Sequence, residues 1–226
     1  MEKDFIMKTI SPLYLIAFIV INPTSLTCSE QAIQYWHSCI HEMLQKLPRH
    51  LRTIPTAIVT MPSWMPFESF NFLRTIFVNK DVQYLSLEQQ QATLGHELSH
   101  VVLGHSIRQL SILLSGGFLA YQAIKKMFNG TKINPYLKKL LIGAQLYTLY
   151  VLFNKYIVYQ DELQAEAYNA IRFNNGAAVV NRLLNNMLVE DSKKASSLSE
   201  ILFNIVAPYF PSSEEQLRHI VQEFQI

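Results

Sequence analysis

The chain has 226 residues, one domain's worth, and half of them are apolar, ample for a core. Its 19 basic and 17 acidic residues leave a formal charge of +2, so nothing in the charge balance suggests a nucleic-acid partner. Charged residues make up only 16%. A soluble globule carries about a quarter, so the composition leans toward membrane contact.

In chain order, Met7-Lys8 followed by the apolar run Leu13–Ile21 has the form of a secretory signal, with an apolar stretch too short to span a bilayer. Glu2 and Asp4 dilute its positive start, and Met7 is an alternative first residue. Residues 1–29 are therefore expected to be a signal peptide, cleaved after Thr27 or Ser29, or else an uncleaved anchor. Residues 30–226 read as a single domain without repeats. Cys28 and Cys39 are the only cysteines; in an exported protein they could pair or stand unrelated, and their spacing matches no zinc site. A small β-element is expected near 55–80, where Thr75-Ile76-Phe77-Val78 is apolar and β-branched.

A helix is expected over about 86–108. Ser86-Leu87-Glu88-Gln89 has the form of a capping box, and Leu94, Leu98, Val101, Val102 and Ile107 recur at helical spacing. Inside this helix lies His96-Glu97-Leu98-Ser99-His100, an H-E-x-x-H sequence. Chance produces such a match in roughly one chain in a hundred, but here it falls within a well-started amphipathic helix. Residues four apart share a helix face, so His96 and His100 can offer two imidazole nitrogens to one zinc ion. Glu97 is turned by about 100° from His96, beside the metal, where it can take a proton from water.

Two histidines leave a tetrahedral zinc short of protein ligands. His105 is nearest but follows His100 by five residues, one short of the extended H-x-x-G-x-x-H spacing. It reads as a polar surface residue or as a group supporting a ligand. Two apolar stretches follow, Gln109–Ile124 and Leu140–Phe153, the second extendable to Val158. Lys125, Lys126, Lys132, Lys138 and Lys139 lie between them with Asn134-Pro135, so a hydrophobic helical hairpin is expected over 109–158. Crossing a membrane takes about twenty apolar residues. The stretches are shorter and contain Gln109, Gln122, Gln145 and Asn154. The hairpin therefore packs in the fold or lies on a membrane surface. If it spans instead, its lysines would keep the loop cytoplasmic and both motifs outside.

Downstream, Glu162 and Glu166 are four apart on another expected helix. A solvated acidic face is the ordinary reading of such a pair. After an H-E-x-x-H helix, one of the two can complete the metal site and the other can orient a ligating histidine. Asp191–Ser199 reads as a short polar linker before the last helices.

These motifs resemble the gluzincin peptidases that include the CaaX prenyl endopeptidases and the HtpX-like membrane proteases. The resemblance covers roughly residues 50–225. His96-Glu97-Leu98-Ser99-His100-Val101-Val102-Leu103-Gly104-His105 is similar to the family's H-E-L-x-H-v-x-x-x-H. Glu162-Leu163-Gln164-Ala165-Glu166 is similar to its E-x-x-A-D, with Glu in place of the Asp. The resemblance implies Glu162 as third zinc ligand and Glu166 as the supporting acid. Residues Phe173–Ala178 look like the family's glycine-marked turn, and Thr75–Val78 like its substrate-binding edge strand. The family's S-R before the second motif is Val158-Tyr159 here, and its C-terminal H-P and Arg are Phe210-Pro211 and Gln216. The resemblance therefore implies a zinc site without the usual polar groups near the metal; Arg218 and His219, close by in sequence, are only weak candidates to replace them.

The fold expected is mainly α with a small β-element: a gluzincin with an active-site helix, a hydrophobic hairpin and a second ligand-bearing helix. The function expected is a zinc metalloendopeptidase, with one Zn2+ per chain on His96, His100 and Glu162, Glu97 as catalytic base and Glu166 behind the ligands. Its partners would be polypeptides, unfolded envelope proteins among them, and a membrane. The place expected is the bacterial periplasm or a membrane surface facing it. Two other classes remain: a catalytically weak zinc-binding relative acting as a chaperone-like protein, and a structural membrane protein with a fortuitous motif.

Overall fold

The computed structural model describes residues 28–52, 56–63, 65, 68–127, 134–192 and 210–223. The signal-like segment 1–27, Lys132 of the hairpin loop and residues 193–199 of the polar linker lie outside the described residues. The described chain is mainly helical with one small sheet. Helix α1 (Glu30–Gln45) is capped by Ser29, whose Oγ accepts from the Ala32 amide. Three strands follow: β1 (Ala57–Met61), β2 (Ser69–Phe72) and β3 (Thr75–Asn79). Helix α2 (Leu87–Leu103) starts with the expected capping box, Ser86 and Gln89 bonding reciprocally.

Helix α2 stops one turn earlier than its apolar pattern predicts. Gly104 adopts a left-handed conformation (φ 70°) and its amide closes onto the carbonyls of His100 and Val101. A new helix, α3 (His105–Met127), starts at once. Helix α4 (Pro135–Phe153) begins on an Asn134 cap and runs through a π-helical turn, Asn154–Val158, into α5 (Tyr159–Arg172). Asn174, also left-handed (φ 57°), ends α5, and α6 (Gly176–Ser192) and α7 (Ser213–Glu223) complete the described fold.

The strand order is β1-β3-β2, with β1 and β3 parallel and β2 and β3 antiparallel. This corrects the expectation of an edge strand at Thr75–Val78. β3 is central and paired on both sides. Ile76 and Val78 point into one apolar cluster and Phe77 into another. An apolar run without alternation is what a strand buried on both faces requires.

The main core forms where α1 lies against α2 and the sheet. Trp36, Ile40, Met43 and Leu44 of α1 meet Leu94, Leu98 and Val101 of α2 and Ile76 and Val78 of β3. Full burial of each such side chain contributes about 1.5–3 kcal/mol. The Trp36 indole N–H finds Gln90 Oε1 at 2.8 Å, so its polar end is satisfied too.

The hairpin departs from the packed reading. Only His105 and Ile124 of α3 are buried, and no residue of α4. Ile112, Leu113, Leu114, Phe118, Leu119, Leu140, Leu141, Leu146 and Leu149 are exposed. Among the described residues, no helix is long and apolar enough to cross a membrane. Cys28 and Cys39 are both free thiols.

The opposite flank of α2 packs on α5 and α6 through small and amide side chains. Asn169 Nδ2 donates to the Ala92 carbonyl at 2.8 Å, and its Oδ1 accepts from Asn175 at 3.0 Å. Gln91 holds Asn175 in turn. A Cβ on Gly95 would lie 2.1 Å from Asn169 Oδ1, an atom pinned by these bonds. Gly95→Ala is therefore expected to lower stability by about 1–3 kcal/mol by overpacking. Gly116→Ala, where a methyl meets nothing within 4 Å, is expected to raise it by about 0.5–1 kcal/mol through helix propensity. Urea midpoints of the two variants check the pair; a stabilised Gly95→Ala would contradict the close approach.

Candidate metal centre

Helix α2 presents His96, Glu97 and His100, all buried, at its centre. Helix α5 presents Glu162 and Glu166 one turn apart. The close α2–α5 contact brings these two sets together. His96 Nε2 lies 3.1 Å from Glu162 Oε2, and His100 Nε2 lies 3.5 Å from the same oxygen. The two Nε2 atoms are 3.2 Å apart. His96, His100 and Glu162 offer one ligand atom each within 4.8 Å of one another, a group that could hold a metal ion.

Glu166 sits behind His96. Its Oε2 is 2.5 Å from His96 Nδ1, and its Oε1 accepts from Arg182 of α6 at 2.5 Å. Glu166 therefore bridges a guanidinium and an imidazole, and its contact to Nδ1 leaves Nε2 of His96 for the cluster. Glu97 is held from the other side. Ser69 Oγ donates to its Oε1 at 2.6 Å, and Asn71 Nδ2 to its Oε2 at 3.2 Å. Both donors come from β2, whose Ser-Phe-Asn-Phe alternation turns two polar side chains to one face.

His105 is not a surface residue. It is 2% exposed, with Nδ1 2.9 Å from His100 Nδ1. Burial, then the neighbouring His100 and Arg108, pull its pKa from 6.5 to about 3, which keeps it neutral. Asp161, fully buried, lies between α3 and the cluster. Its Oδ2 accepts from Gln109 at 2.8 Å, and Arg108 pairs with its other oxygen.

The charges suit a cation. Burial disfavours a charged His96, yet Glu166 and Glu162 outweigh it and raise its pKa to about 10. Burial likewise opposes the charge on Glu162 and on Glu166. His100 and His96 overcome it at Glu162, and Arg182 and His96 at Glu166, so both carboxyls sit well below their usual range. With neutral histidines the two carboxylates would face Arg182 alone. A proton on His96 thus fills the place a metal ion would take, and two nitrogens with one carboxylate oxygen match the donor chemistry of zinc.

The sequence model of peptidase family M48 matches residues 34–204. The chain belongs to that family. It is the family of HtpX-like and CaaX-protease-like zinc metallopeptidases, so the chain is a hydrolase of the protease kind by descent. No curated protein and no solved structure matches the chain. The matched stretch includes both H-E-x-x-H and Glu162–Glu166 and ends before the C-terminal departures.

The bonds of Gln216, Arg218 and His219 run within their own segment. Phe210 is exposed, and Gln216 donates to the Pro211 carbonyl at 3.0 Å. Arg218 pairs with Glu214, and His219 with Glu223, on their own helix. The cation found against the cluster is Arg182, which sequence reasoning missed because it sits in no motif. Ser69 and Asn71 were missed as well, although their period-two spacing was a usable signal.

The two kinds of shift have opposite pH signs. The raised His96 stabilises the metal-free fold fully below pH 6.5 and stops doing so as pH climbs toward about 10. The lowered Glu162 and Glu166 stabilise it above pH 4.5 and lose that contribution as pH falls through their depressed values. In a chelator, the thermal midpoint is expected to be highest near pH 6.5: above it the His96 contribution fades, and below it the buried neutral His105 opposes the fold first, followed by loss of the Glu162 and Glu166 contributions at lower pH. A bound metal ion should remove the alkaline fall. A metal-free midpoint that stays flat from pH 6.5 to 10 would contradict the pairing.

Proposed function

We propose that the protein is a zinc-dependent metalloendopeptidase. One observation carries the reading: His96, His100 and Glu162 converge within 4.8 Å of one another, with the buried carboxylate of Glu97 on the same helix. In this reading His96, His100 and Glu162 hold one zinc ion, and Glu166 orients His96. The bound ion would supply a lowered water pKa and a polarised scissile carbonyl. Glu97 takes the water's proton and passes it to the leaving amine. Ser69 and Asn71 aim its carboxylate and keep it from swinging away. β2, the outer strand beside Glu97, is the element on which an extended polypeptide would pair.

Envelope proteins are the proposed substrates, and the exported side of a membrane the proposed place. The signal-like run Leu13–Ile21 supports export. The exposed apolar hairpin supports docking on lipid, with Lys125, Lys126, Lys138 and Lys139 near its tip suited to anionic headgroups. A catalytically weak, chaperone-like relative is the second reading. It is favoured by the sequence, which has Phe210 and Gln216 at the positions where the resemblance implies His and Arg.

Glu97→Gln is expected to keep its zinc and lose about 10²–10⁴-fold in rate on unfolded polypeptides. Undiminished cleavage would remove Glu97 from the chemistry, and an inactive wild type with full zinc would favour the second reading. The chain is expected to sediment with vesicles containing anionic lipid and to remain in solution with purely zwitterionic ones; indifference to both would exclude lipid docking. A periplasm-dependent phosphatase joined after Ser106 should be active, and silence there would overturn export.

A further inference from the structure

His96 has an evident support in Glu166, whereas among the described residues the partner of the rear nitrogen of His100 is an imidazole and not a carboxylate. His100 Nε2 faces the cluster and its Nδ1 lies 2.9 Å from His105 Nδ1. Only one proton fits between two nitrogens at that separation. If Nε2 gives its lone pair to a metal, the proton of His100 must sit on Nδ1. His105 Nδ1 must then be the acceptor, and its own proton sits on Nε2, which faces Asp161 Oδ1 at 3.8 Å.

We propose that His105 is the positioning residue for His100: it accepts the Nδ1–H of His100 and so fixes the tautomer and ring angle that turn Nε2 toward the metal. The inference rests on the zinc reading above. Three observations support it. Gly104 ends α2 in a left-handed turn, which folds the first residue of α3 back under the last turn of α2. His105 is buried at 2% exposure, and its ring stands edge-on to His100 at 5.0 Å between centroids. Arg108 and Gln109, on the same first turn of α3, both bind Asp161, the residue before Glu162. The start of α3 is thus fastened to both helices that supply the cluster.

The geometry specifies which replacement should work. An asparagine Oδ1 stands one bond beyond Cγ, as imidazole Nδ1 does, and can accept the same hydrogen. A glutamine places its carbonyl one atom farther out. Zinc affinity is measured by chelator competition on wild type, His105→Asn and His105→Gln, with the thermal midpoint of each metal-free chain as a folding control. His105→Asn is expected to stay within about three-fold of wild type and His105→Gln to bind about 10–100-fold more weakly. In the unmodified zinc-loaded protein, histidine-selective ¹⁵N spectra should show a coupling across the hydrogen bond between His100 Nδ1 and His105 Nδ1. This spectrum decides the matter even if a variant fails to fold. Absence of the coupling, wild-type affinity in His105→Gln, or equal loss in both variants would overturn the proposal. A wild type that takes up no zinc would overturn the zinc reading and this one with it, and is distinguished by appearing in the unsubstituted chain.

Discussion

The site depends on how closely two helices approach each other. α2 carries the histidines and α5 the glutamates, and neither set forms a metal site alone. Their axes can close because Gly95 has no side chain where Asn169 crosses, and because Ala92 and Ser99 are small on the same flank. Ser99 also turns its hydroxyl back to the Gly95 carbonyl at 2.7 Å, which removes a polar atom from the contact. The amides of Asn169, Asn175 and Gln91 then hold the two helices in register. Buried amides of this kind cost stability unless every one is bonded, and here they bond one another.

Around that contact the charges are arranged in two tiers. Glu162, His96 and His100 face inward. Glu166 with Arg182 stands behind His96, and His105 with Asp161 behind His100. Helix α6 delivers Arg182 and also buries Val179 and Leu183 in a second apolar cluster, and the first turn of α3 delivers His105. The main core is on the other side of α2, where α1 and the sheet bury Trp36, Met43, Leu94 and Leu98. That core sets where α2 lies; its other flank carries the polar cluster beside a smaller apolar one of Ala92, Ala170, Val179, Leu183 and Ile220. The sheet contributes twice: its apolar faces complete the core, and β2 brings Ser69 and Asn71 to Glu97.

What was legible in the chain is what local spacing determines. The H-E-x-x-H helix, its capping box, the Glu162–Glu166 pair and the helical hairpin each show within a few residues of sequence. Contacts set by tertiary closure did not show. Arg182 lies in an unremarked stretch of α6, and nothing local marks it as the partner of Glu166. Spacing sets His105 apart from the ligand set, but its burial follows from the turn at Gly104. Thr75–Val78 was assigned to an edge, whereas its unbroken apolar run was the sign of a strand buried on both faces. For the hairpin, apolar composition alone does not separate a buried pair of helices from an exposed one. The structure leaves α3 and α4 largely uncovered.

The most direct test of the central claim is X-ray absorption at the zinc edge on the purified, zinc-loaded chain. The expected result is one zinc per chain with two imidazole nitrogens at about 2.0–2.1 Å, oxygen ligands completing the shell and no sulfur. Zinc that does not bind stoichiometrically, or a shell containing sulfur from Cys28 or Cys39, would contradict a metal centre built by α2 and α5.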